Sequence, residues 1–311
     1  MKDQPVSSTD AQEFLVKHFG LGIGSPVLVG EGAWSRCFGF RHGDEELVIR
    51  FGKYVDDFEK DQRAYTLASP DLPIPNVLEI GEAFDGYYAI STRAYGIPLE
   101  QVSASQWVAL LPSLVSALEA MRKIDLSATT GFGGWGIDGN ASMPSWSRFL
   151  FAALEDTPDR RTHGWRKKLA AHPQAEATFV WGMDLLQQLV NDDVPRSLLH
   201  CDLVNRNVLV EGNRLSGIFD WGCSIYGDHF YELAWFDFWS PWYPDLDIGL
   251  LHSGLEQHWR EVGYTPVDKE ARLAACYLHI GLDHLAYNSY TGDEVNLLAT
   301  AARMRTLVKK G

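Results

Sequence analysis

Basic residues are scarce in this chain: 27 lysines and arginines face 41 aspartates and glutamates, a formal net charge of −14. That balance argues against a nucleic-acid partner and suits a cationic small molecule. Cysteine is scarce too. The four present, Cys37, Cys201, Cys223 and Cys276, form no Cys-x-x-Cys pair, which argues against a disulfide framework or a zinc site and for a reducing cytoplasm. The histidines lack the paired spacing of a zinc hydrolase. No stretch approaches the roughly 20 apolar residues of a membrane span, and Met1 to Phe14 show no apolar signal core. Internal repeats and low-complexity segments are missing as well. What is present is a globular composition, 46% hydrophobic and 12% aromatic over 311 residues, enough for one large domain or two. A soluble protein of the cytoplasm is expected.

The chemistry is concentrated in one stretch, Leu198–Asp220, where His200, Asp202, Asn207 and Asp220 stand at fixed places between short apolar runs. Val208-Leu209-Val210 and Leu215 with Ile218-Phe219 read as two strands around the turn Glu211-Gly212-Asn213, a hairpin. A hairpin brings its ends together, so the Asn207 amide and the Asp220 carboxylate can share a hard cation such as Mg²⁺. The bland alternative is a loop closed by His200 and Asp202 with no catalytic role.

Upstream, Thr9 and Gln12 suggest a capping box, and Phe14, Leu15, His18 and Phe19 recur at helical spacing until Gly20. Three strands follow, Val27–Val29, Arg36–Phe40 and Glu46–Phe51. Gly30-x-Gly32-x-x-Ser35 lies between two strands, which disfavours a dinucleotide fold, since that needs a strand followed by a helix. It reads either as a loop folded over nucleotide phosphates or as an ordinary turn. Arg50 is a lone cation in an apolar strand. A helix over Asp57–Leu67 then offers Glu59, with Asp61 as a rival partner for that cation. Leu72-Pro73-Ile74-Pro75 stops the helix, and Val77–Ile80 and Tyr87–Thr92 bring the strands to five.

Beyond Ser103 the pattern is helical, with Trp107, Leu110, Leu111, Leu114, Leu118 and Met121 on one apolar face. Gly131–Gly136 reads as a loop. Trp146–Leu154, His163–Ala171, Ala175–Val190, Leu246–Val262, Lys269–Tyr287 and Glu294–Val308 read as helices. From Asp228 a helix runs through Glu232, Trp235 and Trp239, and its aromatic density fits either core or a sugar-stacking platform.

The pattern His200-x-Asp202, Asn207, Asp220-Trp221 resembles the catalytic core of the protein kinases and the related antibiotic kinases. Six residues separate Asp220 from Gly227, which in that likeness leaves no room for the long activation segment with which protein kinases bind peptides. Glu31-Gly32 with Ser35-Arg36, Leu72-Pro73-Ile74-Pro75, Gly131-Phe132-Gly133 and Ile280-Gly281-Leu282-Asp283 extend the likeness over nearly the whole chain. Their order looks like the aminoglycoside phosphotransferases, and Arg50 with Phe238–Trp242 is most similar to the hygromycin B branch of that family. The resemblance implies an α+β, protein-kinase-like two-lobe fold. A small antiparallel five-stranded sheet would form the nucleotide-binding lobe over residues 1–95, and a larger, mainly helical catalytic and acceptor-binding lobe would cover 96–311.

It further implies ATP and Mg²⁺ as cofactors, a cationic aminoglycoside as acceptor, and a monomer. Asp202 would be the base and His200 its brace, with Asn207 and Asp220 as metal ligands. Arg50, Glu59, Gly32, Ser35 and the hinge residues Ser91 and Ala94 would hold nucleotide. Asp228, Glu232, Trp235, Trp239 and Asp283 would meet the acceptor. Arg50 stands where kinases generally carry Lys, and a planar guanidinium is not equivalent to an ammonium. That difference keeps a nucleotide-binding pseudokinase in view, beside a kinase of choline, homoserine or a thiosugar.

Overall fold

Ser7, not Thr9, starts the first helix of the computed structural model, which describes residues 6–32 and 35–308. The Ser7 hydroxyl accepts the Asp10 N–H (3.2 Å), and the Asp10 carboxylate accepts the Ser7 N–H (2.7 Å). A carboxylate at this position satisfies a free N–H of the first turn more strongly than an amide can. The first five residues, part of the stretch scanned for a signal core, and Ala33-Trp34 of the glycine loop lie outside the described residues.

The chain divides into two compact units. The first holds Met1–Gln101, Gly136–Gly139 and Asn205–Cys223. In it α1 (Ser8–Phe19) is followed by β1 (Val27–Glu31), β2 (Ser35–His42), β3 (Glu45–Gly52), α2 (Val55–Tyr65), β4 (Val77–Ala83) and β5 (Gly86–Thr92). The five strands form one antiparallel sheet in the order β1-β2-β3-β5-β4. Alternation along β3 buries Leu47, Ile49 and Phe51 against Ala11 and Leu15 of α1. Arg50 therefore points from the opposite face of the sheet. The same unit contains a three-stranded sheet, in which Val208–Glu211 lies between Arg214–Ile218 and Ile97–Pro98.

The second unit holds Val102–Trp135, Asn140–Val204 and Ser224–Gly311. Its helices are α3 (Ala104–Lys123), α4 (Trp146–Ala152), α5 (Trp165–Leu169), α6 (Pro173–Leu189), α7 (Phe230–Trp239), α8 (Ile248–Glu261), α9 (Lys269–Thr291) and α10 (Glu294–Val308). Trp107, Leu110, Leu114, Leu118 and Met121 of α3 are buried, as their spacing predicts, whereas Leu111, expected on the same face, is only partly buried. α9 is the central helix, packed against α5, α6, α7 and α10. No helix among the described residues is long and apolar enough to cross a membrane.

The sequence reading missed a four-stranded antiparallel sheet here, in the order Ala141–Met143, Phe132–Trp135, Ile225–Gly227, Ser197–Leu199. The run Gly131–Gly136, expected as a loop, supplies one of its strands. Strands of three or four residues are too short for alternation to register, and their glycines read as loop.

Gly131 is held at φ 75°, and a Cβ there would fall 1.9 Å from the Ala141 carbonyl oxygen. Gly131→Ala should therefore lower unfolding stability by about 2 kcal/mol or more, since neither backbone segment can yield cheaply. Urea denaturation checks this, and an unchanged midpoint would contradict the packing described.

Candidate active site

Within the first unit the hairpin ends as its sequence suggests. Val208 pairs with Ile218, and the Phe219 N–H donates to the Asn207 carbonyl (3.0 Å), so Asn207 and Asp220 flank the same end. Asn207 is buried, whereas the Asp220 side chain is 44% exposed. An amide oxygen and a carboxylate are hard donors that suit a magnesium ion completed by phosphate oxygens and water. Among the described residues no group of three or more His, Cys, Asp and Glu is gathered for a metal.

Arg50 is bracketed by two carboxylates. Its Nη1 donates to Asp220 Oδ1 (3.1 Å), its Nη2 donates to Asp61 Oδ2, and its guanidinium lies 4.6 Å from the centre of the Phe58 ring. Burial works against the Arg50 charge, but Asp61 and Asp220 outweigh it and hold the group protonated. Burial likewise pushes the Asp61 carboxyl up, against the pull of Arg50. The other Asp61 oxygen, Oδ1, accepts the Trp221 N–H (2.7 Å). One residue before Asp61 along the helix, the Lys60 ammonium donates to the Gly222 carbonyl (2.9 Å).

The expected nucleotide-side partner, Glu59, is corrected by this geometry. Phe58, Asp61 and Ala64 form the buried face of α2, and Glu59 stands about 100° round the helix from Phe58, off that face. Asp61 holds Arg50. Ser91 remains inside the sheet, paired with Val48 and Val77, whereas Ala94 lies beyond the end of β5. Ala94 is packed so closely that a Cβ on Gly217 would meet its own Cβ at 2.6 Å. The Gly32 N–H donates to the Ser35 carbonyl (2.9 Å), closing the turn between β1 and β2. Cys37, which pairs with Arg50 across the strands, has its thiol pushed up to about 11 by burial.

In the second unit His200 is fully buried and Asp202 half-buried. The backbone N–H groups of His200 and Cys201 both donate to Glu232 Oε1, the latter at 2.7 Å. Glu232 was expected at an acceptor surface. It is instead a buried brace behind the loop that carries Asp202. It lies 32 positions along the chain from His200, so no local spacing could have revealed the contact.

Three non-glycine residues between His200 and Trp221 have left-handed backbone: Cys201 (φ 64°), Arg206 (φ 63°) and Asp220 (φ 65°). Each has a carboxylate beside it. Glu232 takes the Cys201 N–H, Glu100 Oε1 takes the Arg206 N–H (2.5 Å), and Asp61 takes the N–H of Trp221. Such conformations cost about 1–3 kcal/mol each and persist where the surroundings over-determine them.

The remaining acceptor candidates divide. Asp228 is 1% exposed and its carboxylate is gripped by Arg272, from Nε at 2.8 Å and Nη2 at 2.6 Å, so it cannot greet a substrate cation. Asp283 is 38% exposed and pairs with Arg160 (3.3 Å). Trp235 and Trp239 lie 5.8 Å apart, and both pack on His284. Their indole N–H groups are buried and have no hydrogen-bond partner among the described residues. The buried indole N–H groups of Trp165 and Trp259 are in the same state, so the feature is shared with core tryptophans.

Burial pushes the Glu232 carboxyl up to about 7, with the two backbone N–H donors pulling the other way. A folded-state value above the unfolded one means that stability is fully present below about pH 4.5 and is lost as pH rises through about 7. Glu232→Gln keeps an acceptor for both N–H groups and removes the charge. It should flatten the unfolding midpoint between pH 5 and 8, an effect of at most ~3 kcal/mol. A variant whose midpoint still falls as the wild type's does would contradict the assignment.

A family model described as a phosphotransferase enzyme family matches residues 9–264. The chain is 31% identical to hygromycin-B 4-O-kinase of Escherichia coli, over 100% of this chain and 88% of that protein. It resembles a thermostable mutant of aminoglycoside phosphotransferase APH(4)-Ia, solved as a ternary complex with AMP-PNP and hygromycin B. That likeness has a TM-score of 0.83 at 30% identity, covering 97% of this chain and 99% of the other. Spectinomycin phosphotransferase APH(9)-Ia shares the fold at 15% identity, with a TM-score of 0.60 and 98% coverage of both chains.

Proposed function

We propose, on the premise that this chain belongs to the phosphotransferase enzyme family and is an aminoglycoside phosphotransferase, that it moves the γ-phosphoryl group of ATP to a hydroxyl of hygromycin B. The observation that carries the reading is the end of the 208–218 hairpin, where Asn207 and Asp220 stand together and Arg50 reaches Asp220. The acceptor is supported by the full-length similarity to hygromycin-B 4-O-kinase. A magnesium ion held by Asn207 and Asp220 supplies charge neutralisation on the phosphates when bound.

In this reading residues 1–95 take the nucleotide, and the chain from 96 onward supplies the catalytic loop and the acceptor surface. Asp202 orients the acceptor hydroxyl and takes its proton, and positioning does most of the work in such reactions. His200, fully buried, braces the loop. Arg50 restrains the phosphates, Gly32 and Ser35 shape the loop over them, and Ala94 lies where the base edge is met. Trp235, Trp239 and Asp283 are the acceptor residues that remain once Asp228 and Glu232 are spent internally. The enzyme would work as a monomer in the cytoplasm on a cationic antibiotic, consistent with its net charge of −14.

ADP release with ATP and magnesium, measured with hygromycin B beside kanamycin, choline and homoserine, tests the acceptor. Hygromycin B should stimulate release and the others should not. Asp202→Asn should lower kcat by about 10²–10⁴, the usual contribution of a positioned base, with little change in KM for ATP. Stimulation by choline or homoserine in place of hygromycin B would overturn the acceptor. An Asp202→Asn variant of undiminished kcat would overturn the base.

A further inference from the structure

The two ion pairs of Arg50 are unequal. Asp61 is locked: its side chain is 11% exposed, one oxygen takes Arg50 and the other takes the Trp221 N–H. Asp220 is the loose side, 44% exposed and joined to Arg50 through a single oxygen at 3.1 Å. The guanidinium is a rigid planar fork, so Nη2 stays anchored on Asp61 while Nη1 faces the one carboxylate able to turn away.

We infer that Arg50 makes cation binding at Asp220 depend on the nucleotide, by claiming the same carboxylate that the cation needs. This rests on the reading of Asp220 as a metal ligand. A divalent ion arriving alone must displace Nη1 or lie close to a buried positive charge, and both are costly. A polyphosphate changes the balance, because its oxygens give Nη1 a new and doubly charged partner while Nη2 keeps its hold on Asp61. Nucleotide and cation thus favour one another through a single guanidinium, and such a coupling is reciprocal. An ammonium on a flexible stem has no fork to divide between two carboxylates, so the device belongs to Arg at this position.

Manganese binding followed by electron paramagnetic resonance, with no nucleotide present, reads the coupling directly. Arg50→Gln should bind Mn²⁺ about tenfold more tightly than the wild type, within the 5–150-fold range of such couplings, and the tightening of Mn²⁺ by AMP-PNP should shrink to match. Arg50→Gln alone leaves Asp61 as an unpaired buried charge, so the same titration is made on Arg50→Gln with Asp61→Asn, where the amide oxygen still accepts the Trp221 N–H. Asp220→Asn separates this inference from the reading beneath it. If Asp220→Asn abolishes Mn²⁺ binding but the Arg50 variants bind as the wild type does, the coupling is wrong and the ligand assignment stands. Mn²⁺ binding that survives Asp220→Asn overturns both.

Discussion

Backbone strain in the stretch between His200 and Trp221 is the constraint on which the rest of the site depends. Cys201, Arg206 and Asp220 are left-handed at non-glycine positions, and a carboxylate from elsewhere in the chain accepts an N–H at or next to each. A hydrogen bond to a charged acceptor contributes about 1.5–3 kcal/mol, comparable with the ~1–3 kcal/mol of one such conformation. The strain is therefore offset locally, contact by contact. Glu232, Glu100 and Asp61 thus belong to the candidate site through the backbone they hold.

The braces differ in what else they do. At the loop Glu232 accepts the backbone N–H groups of His200 and Cys201 on one oxygen, and its other oxygen, Oε2, has no hydrogen-bond partner among the described residues. Asp61 joins two functions, since the carboxylate that fixes the Trp221 backbone also anchors Arg50. Any displacement of α2 would move the cation and the Asp220 segment together. Lys60, bound to the Gly222 carbonyl, ties the same helix to the same segment a second time.

What the sequence revealed follows from range. The hairpin, Asn207 and Asp220 were legible because apolar alternation and a Gly-Asn turn are local signals. The five-stranded sheet was legible for the same reason. The partner of Arg50 was narrowed to two residues of one helix turn, and helical phase decides for Asp61: Phe58 and Ala64 are buried beside it and Glu59 is off that face. Asp228 and Glu232 read as free carboxylates because their partners, Arg272 and the His200-Cys201 backbone, lie far off in sequence. Isolated acidic residues in an acidic chain carry no mark of whether they are spent internally. The short strands around Gly131–Gly136 and Ser197–Leu199 escaped because three or four residues are too few to show a period of two.

Asp228 and Glu232 are committed inside the protein, so of the acceptor candidates named from the sequence Asp283, Trp235 and Trp239 are left without that objection. The central claim is phosphoryl transfer to an aminocyclitol hydroxyl. The most direct measurement is phosphorus NMR, with mass spectrometry, of hygromycin B recovered after incubation with the enzyme, ATP and magnesium. The account predicts one new phosphate monoester resonance and a gain of a single phosphoryl group. Unmodified antibiotic alongside ADP and free inorganic phosphate would contradict it.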